Sequence, residues 1–189
     1  MNVFDFDKTI YDGDSTADFC IFLAKRHPKV ILEFAGALGK VMKYKLGKIE
    51  KTEMKERLYR AFTRVPDMEK ELEIFWAGHM KNIEQWYLDI KKPDDVVISA
   101  SPEFLLRIPI ENLGIGTLIA SRVDMKTGEY DGLNCYGEEK PKRFAEYFGD
   151  GWEGLSDNFY SDSYSDTPMA RIAKKAYIIK NHTPMEWGK

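Results

Sequence analysis

Apolar and polar positions along the chain repeat with two periods. Asn2–Phe6 is a short apolar run that ends among acidic residues and reads as a buried strand. From about Ser15 to Leu88 the spacing is helical. Phe19, Phe22 and Leu23 alternate with Asp18, Lys25 and Arg26, and a second amphipathic stretch covers roughly Val30–Leu46. Thr52–Phe62 and Met68–Tyr87 predict two more helices, with Asp67 placed to cap the latter and Pro28 and Pro66 at boundaries. Beyond them the period shortens again. Asp95–Ser99 and Ile115–Ala120 read as strands separated by a helix from Pro102, and Arg122–Leu133 reads as a hairpin turning at Thr127-Gly128. Lys140–Phe148 predicts a helix, Asp157–Ser161 a strand, Pro168–Lys174 a helix and Ala176–Ile179 a last strand.

Strands alternating with helices imply an α/β fold, a doubly wound, Rossmann-like parallel sheet covered on both faces. The helical block between the first two strands is too long for a simple crossover and reads as an inserted cap. The expected division is an α/β core of residues 1–12 and 93–189 with a helical cap of residues 13–92.

Composition sharpens this. Of 189 residues, 43% are hydrophobic and 13% aromatic, enough for a substantial core, and a net charge of −3 does not suit a nucleic-acid binder. Cys20 and Cys135 form no CxxC pair, so neither a disulfide framework nor a zinc site is indicated. Acidic residues arrive as early as Asp5, which no secretory signal has, and no apolar run reaches the roughly 20 residues of a membrane span. The expectation is a soluble cytoplasmic protein. Charge is uneven, however: residues 25–64 hold 12 Lys and Arg against 4 Asp and Glu, a local +8 that leaves −11 on the remainder.

Ligands of a parallel α/β sheet sit outside the carboxyl ends of its strands. Four polar signals fall there. Asp5 and Asp7 follow the first strand, and side chains two apart in extended chain point the same way. Carboxylates so close repel unless a cation or shared proton relieves them, and magnesium does so while engaging substrate phosphate. Ser99 ends the second strand, with Ser101 a rival hydroxyl. Lys140 opens a helix, with Lys142 its rival. Asp162 and Asp166 follow the strand Asp157–Ser161. Alone, each has a bland reading: Asp-x-Asp as a turn, Ser99 as a cap, Lys140 as part of a surface charge cluster, Asp162 and Asp166 as caps. Their joint occurrence in this order outweighs those readings.

The set FDFDKT, VVISAS, GEEK and YSDSYSD resembles the signature of the haloacid dehalogenase-like phosphohydrolase superfamily, and spans residues 4–166. The resemblance implies that Asp5 attacks phosphorus and forms an aspartyl-phosphate, and that Asp7 is the general acid and base. It implies that Thr9 orients Asp7 and that Ser99 and Lys140 bind the phosphoryl group. Mg2+ would be held by the carboxylates of Asp5 and Asp162 and the main-chain carbonyl of Asp7, with Asp166 supporting the metal through water or tying down Lys140. Dehalogenases of the superfamily lack the second aspartate and P-type ATPases replace it with Thr, so Asp7 favours a phosphatase. A phosphotransferase using the same intermediate is the alternative. Lys8 stands where the family often has Gly.

The helical insertion, with Asp12-Gly13-Asp14-Ser15, resembles the phosphoserine-phosphatase-like branch, and Asp14 lies near the position of the Glu that holds the substrate amine there. The expected partner is a small phosphorylated substrate. Basic Val30–Lys51, with Lys40, Lys43, Lys45, Lys48 and Lys51, suits an anionic membrane surface, and the resemblance extends to relatives that dephosphorylate the lipid phosphatidylglycerophosphate; a solvated helix face packing its apolar side on the cap is the stronger reading. His27, His79 and His182 show no ligand spacing.

Overall fold

The computed structural model describes residues 1–31, 33–34, 39, 46–47, 49, 55–56 and 58–188. Most of the amphipathic stretch Val30–Leu46, much of the helix expected over Thr52–Phe62, and Lys40, Lys43, Lys45, Lys48 and Lys51 lie outside the described residues.

Six strands form one sheet: β1 (Asn2–Phe4), β2 (Val96–Pro102), β3 (Thr117–Ser121), β4 (Asn158–Ser161), β5 (Lys175–Lys180) and β6 (Thr183–Glu186). Their spatial order is β3-β2-β1-β4-β5-β6; all neighbours pair parallel except β5 and β6. The chain therefore starts in the middle of the sheet and winds outward in both directions, the doubly wound α/β arrangement expected. The crossovers carry α1 (Ser15–Arg26), α2 (Met68–His79), α3 (Gln85–Ile90), α4 (Glu103–Leu113), α5 (Glu139–Phe148) and α6 (Thr167–Ile172).

Strand side chains alternate between faces, and this sorts the core into two layers. Val3, Val96, Ile98, Ile119 and Phe159 face α5 and α6, meeting Phe144, Met169 and Cys135. Phe4, Val97 and Tyr160 face the other way, toward Phe19, Phe75, Trp76, Tyr87 and Leu105. Residues of the helical insertion thus share one apolar cluster with the sheet. Each side chain so buried contributes about 1.5–3 kcal/mol by removal from water.

Two features of the insertion follow from local chemistry. Met68–Tyr87 is not one helix: after His79 the chain makes a 3-10 turn at Met80–Asn82 and runs extended through Ile83. There it forms a ribbon with the loop after β1, pairing Tyr11 with Ile83 and bonding Asp12 N to Asn82 O and Glu84 N to Ile10 O, both at 2.8 Å. The stretch between β1 and β2 thus begins and ends in two adjacent extended segments. The second feature is Pro109 inside α4. A proline offers no N–H to the carbonyl four residues back, here Leu105. The indole N–H of Trp76 donates to that carbonyl at 2.6 Å, and Trp76 is fully buried. Trp76→Phe leaves the carbonyl without a donor and is expected to cost about 1–3 kcal/mol in urea unfolding.

The hairpin expected at 122–133 is present in reduced form, with Val123 bridged to Tyr130. Strand β6 is an addition to the pattern read from sequence. It follows a two-residue turn, Asn181-His182, whose φ angles of 47° and 61° suit the hairpin turn that matches strand twist.

Candidate active site

Beyond β1 the chain curls tightly. The carbonyl of Phe6 accepts from the N–H groups of Thr9, Ile10 and Tyr11, and Lys8 N donates to Gly13 O. The curl requires φ of 57° at Lys8, a left-handed conformation that costs a side-chain-bearing residue about 1 kcal/mol or more. Gly would take this conformation without that cost. The curl aims both Asp5 and Asp7 at one cavity of about 380 Å³ at the carboxyl edge of the sheet. Ser99 and Ser101 from β2, Lys140 from α5, and Asp162 and Asp166 from the loop after β4 line the same cavity.

Lys140 is 1% exposed and its ammonium sits between two carboxylates, donating to Asp5 Oδ1 at 2.7 Å and Asp166 Oδ2 at 2.6 Å. Burial works to lower the Lys140 pKa, but Asp5 and Asp166 outweigh it and hold the group charged, above its ordinary range. Lys142 is exposed, so Lys140 is the lysine that the helix turns inward. Ser161 Oγ donates to Asp166 Oδ2 at 2.8 Å, while Asp166 Oδ1 is buried with no hydrogen-bond partner among the described residues.

Asp7 is held differently from expectation. Its Oδ1 accepts from Ser15 N at 2.6 Å, at the first turn of α1, and its Oδ2 accepts from Ser101 Oγ at 2.5 Å. Ser101 in turn lies 3.0 Å from Thr16 Oγ1, and its N–H donates to Ser99 Oγ. The two serines thus divide: Ser101 grips Asp7, and Ser99 supports Ser101 while facing the cavity. Thr9 is fully buried and its hydroxyl accepts the N–H of Asp162 at 3.0 Å. It ties the two acidic loops together instead of orienting Asp7, because the curl turns it toward β4. Asp14 caps α1 by accepting Ala17 N at 3.0 Å and also lines the cavity.

Burial raises the pKa of Asp5 to about 7, with Lys140 pulling the other way and Asp166 adding to the rise. Asp7 is raised by burial and then by Asp14, against the bonds from Ser101 and Ser15. Asp162 is raised by burial, with Lys8 opposing. Among the described residues the desolvated acids outnumber the buried ammonium, the bond from Lys140 to Asp5 falls on Oδ1, and Asp166 Oδ1 has no partner. This donor set is all hard oxygen and deficient in positive charge, which fits a dication such as Mg2+. A different group, Asp12, Glu84 and His182, brings its ligand atoms within 4.8 Å of one another beside the ribbon. Its His182 Nδ1 is 2.6 Å from Glu84 Oε1, a surface ion pair that accounts for the approach.

Sequence reading missed Ser15, Thr16 and Lys55, which enter the site from the insertion. Lys55 lines the cavity and donates to Ala100 O at 2.8 Å. The Thr16–Ser101 and Ser15–Asp7 contacts join residues 85 and 8 apart in sequence, and no local signal announces them.

Among the described residues no helix is long and apolar enough to cross a membrane. No curated protein matches the chain. Among solved structures, a Bordetella pertussis protein of unknown function is similar at a TM-score of 0.79 and 19% identity, covering 94% of this chain and 88% of that one. A phosphoserine phosphohydrolase-like protein from Francisella tularensis is similar at 0.58 and 14% identity, over 96% and 88%. A phospho-aspartyl intermediate analogue of phosphoserine phosphatase is similar at 0.56 and 19%, over 93% and 84%. These likenesses show a shared fold. The model of the haloacid dehalogenase-like hydrolases matches residues 3–171. With the signature motifs gathered at one cavity and that match spanning most of its length, the chain belongs to the haloacid dehalogenase-like hydrolases.

Proposed function

We propose that the chain is a magnesium-dependent phosphomonoester hydrolase working through an aspartyl-phosphate on Asp5. The observation that carries this reading is the convergence of Asp5, Asp7, Ser99, Lys140, Asp162 and Asp166 on one cavity, with Lys140 bridging Asp5 and Asp166. Asp5 supplies the nucleophilic oxygen, and Ser99 and Lys140 receive the phosphoryl oxygens. Asp7, its pKa raised and its carboxyl oriented by Ser101 and Ser15, gives a proton to the leaving oxygen and later takes one from water. Asp5 and Asp162, with the Asp7 carbonyl, would hold Mg2+, which when bound offsets the negative charge of the phosphoryl group. Asp166 fixes Lys140.

In this reading residues 13–92 act as the cap over the cavity, pivoting at the Tyr11–Ile83 ribbon. The likeness to phosphoserine phosphatases supports a small phosphorylated substrate. Cys20 and Cys135 are both free thiols, which suits a reducing cytoplasm.

The test is phosphate release from a panel of phosphomonoesters, phosphoserine included, with Mg2+ or EDTA. Release that requires Mg2+ is expected. Equal release in EDTA would remove the metal from the proposal, and no release from any ester by folded, Mg2+-loaded protein would remove the hydrolase reading.

A further inference from the structure

After β3 the hairpin of residues 122–131 leaves the sheet and folds over the insertion. Asp124 N donates to Glu129 O, Gly128 N to Asp124 O and Asp131 N to Arg122 O. The Asp124 side chain takes the N–H of Lys126 at 2.6 Å and closes the tip. Gly128 at that tip has φ of 73°, and a Cβ there would stand 2.6 Å from both Arg60 N and Tyr59 C. Backbone rests directly on backbone, and neither neighbour is a side chain that can swing away. On either side Tyr130 N donates to Glu56 Oε1 at 3.4 Å and the Tyr59 and Tyr130 rings lie 5.9 Å apart. The Arg60–Glu129 pair, at 3.6 Å and half exposed, contributes little.

The gripped segment reaches the active-site cavity, as do Asp14, Thr16 and Ala17 at the start of α1. Lys55 and Leu58 line it. At the base of the hairpin Ser121 Oγ lies 3.1 Å from the carbonyl of Ala100, the same carbonyl that receives Lys55 Nζ at 2.8 Å. Ala100 sits between Ser99 and Ser101. Asp5, Lys140 and Asp166 line the cavity from the sheet edge, and Lys55 and Leu58 line it from the stretch between β1 and β2.

We propose that the 122–131 hairpin is a positioning element: Gly128 lets it seat against Tyr59–Arg60, which sets Lys55 and Leu58 as the leaving-group wall of the site. The inference rests on the phosphomonoesterase reading above. A side chain at position 128 meets both a left-handed backbone and a backbone wall, so Gly128→Ala must lift the hairpin or shift residues 55–60. The groups that do the chemistry stay in place. KM then rises about tenfold while kcat changes by less than about threefold, the mark of lost binding that is common to ground state and transition state.

The experiment compares wild type, Gly128→Ala and Lys55→Met in the full chain on the best ester of the panel. It adds hydrogen–deuterium exchange at residues 55–60, which needs no activity. Expected are a raised KM with near-constant kcat in both variants, and faster exchange in Gly128→Ala alone. Unchanged exchange in Gly128→Ala would show that the hairpin does not grip the segment. Faster exchange with an unchanged KM, or a fall in kcat alone, would overturn the positioning role. Should Gly128→Ala not fold, Glu56→Ala removes the acceptor of Tyr130 N and is read by the same two measurements. An inactive wild type would sink the phosphatase reading and the wall with it, whereas the exchange result would still report on the grip.

Discussion

Asp5→Asn is expected to lower phosphate release by about 10⁴-fold or more, the scale on which loss of a covalent nucleophile is felt. Asn keeps the shape and still meets Lys140, so the fold should survive. Stability should move the other way from activity. The Asp5 carboxyl has its folded pKa raised by burial to about 7 from an ordinary 3.8. Between those values the folded chain holds a proton that the unfolded chain has released, so stability falls as pH rises from about 4 to 7 and is level above. Asp5→Asn lacks this slope. Metal-free wild type should therefore lose stability relative to the variant across that range, and Mg2+ should raise the thermal midpoint of wild type more than that of Asp5→Asn. Equal phosphate release from the two proteins would exclude Asp5 as nucleophile.

Lys140→Met should be the most damaging single change in the site. The side chain is 2% exposed and that of Asp166 3% exposed. Removing the ammonium leaves two buried carboxylates facing each other across the cavity, and breaking a buried pair from one side costs about 3–5 kcal/mol. Asp5 escapes by staying protonated. Burial already raises its folded pKa and Lys140 is what lowers it, so losing Lys140 raises it further, and a carboxyl with a raised folded pKa contributes stability at low pH that is lost as pH climbs. The deficit in urea unfolding should thus be smaller at pH 5 than at pH 8. Adding Asp166→Asn should recover part of it, because one of the stranded charges is gone. A single variant as stable as wild type at pH 8 would show that the Lys140 pair is not buried in solution. Activity is lost in either case, since the double variant restores balance but not the cation that meets the phosphoryl group.

The residues at the sheet edge were legible because each follows a strand or opens a helix, and a parallel sheet gathers all such positions at one end. The GEEK spacing of the family motif points to Lys140 over Lys142, and in the structure Lys140, Arg143 and Phe144 share the buried face of α5 while Lys142 is exposed. The partners of Asp7 were not legible. Ser15 and Ser101 reach it only once the start of α1 lies against β2, and the family resemblance points to Thr9 instead. The break in Met68–Tyr87 was hidden for a similar reason. Local periodicity continues through Ile83, but that residue is claimed by the ribbon with Tyr11, which wins a hydrogen-bonded pairing and a buried side chain. In β6, Pro184 reads against a strand. It sits in one because the strand is short and outermost.

That position of Pro184 has a consequence for how these molecules meet one another. In the two-residue hairpin the flanking pair Lys180–Thr183 exchanges the hydrogen bonds, so the next pair, Ile179–Pro184, does not. The ring nitrogen of Pro184 therefore faces outward, where an incoming strand would look for a donor. A neighbour's chain laid against this side would lose a bond midway along only four residues. One imino acid thus interrupts templated growth of the sheet on that side.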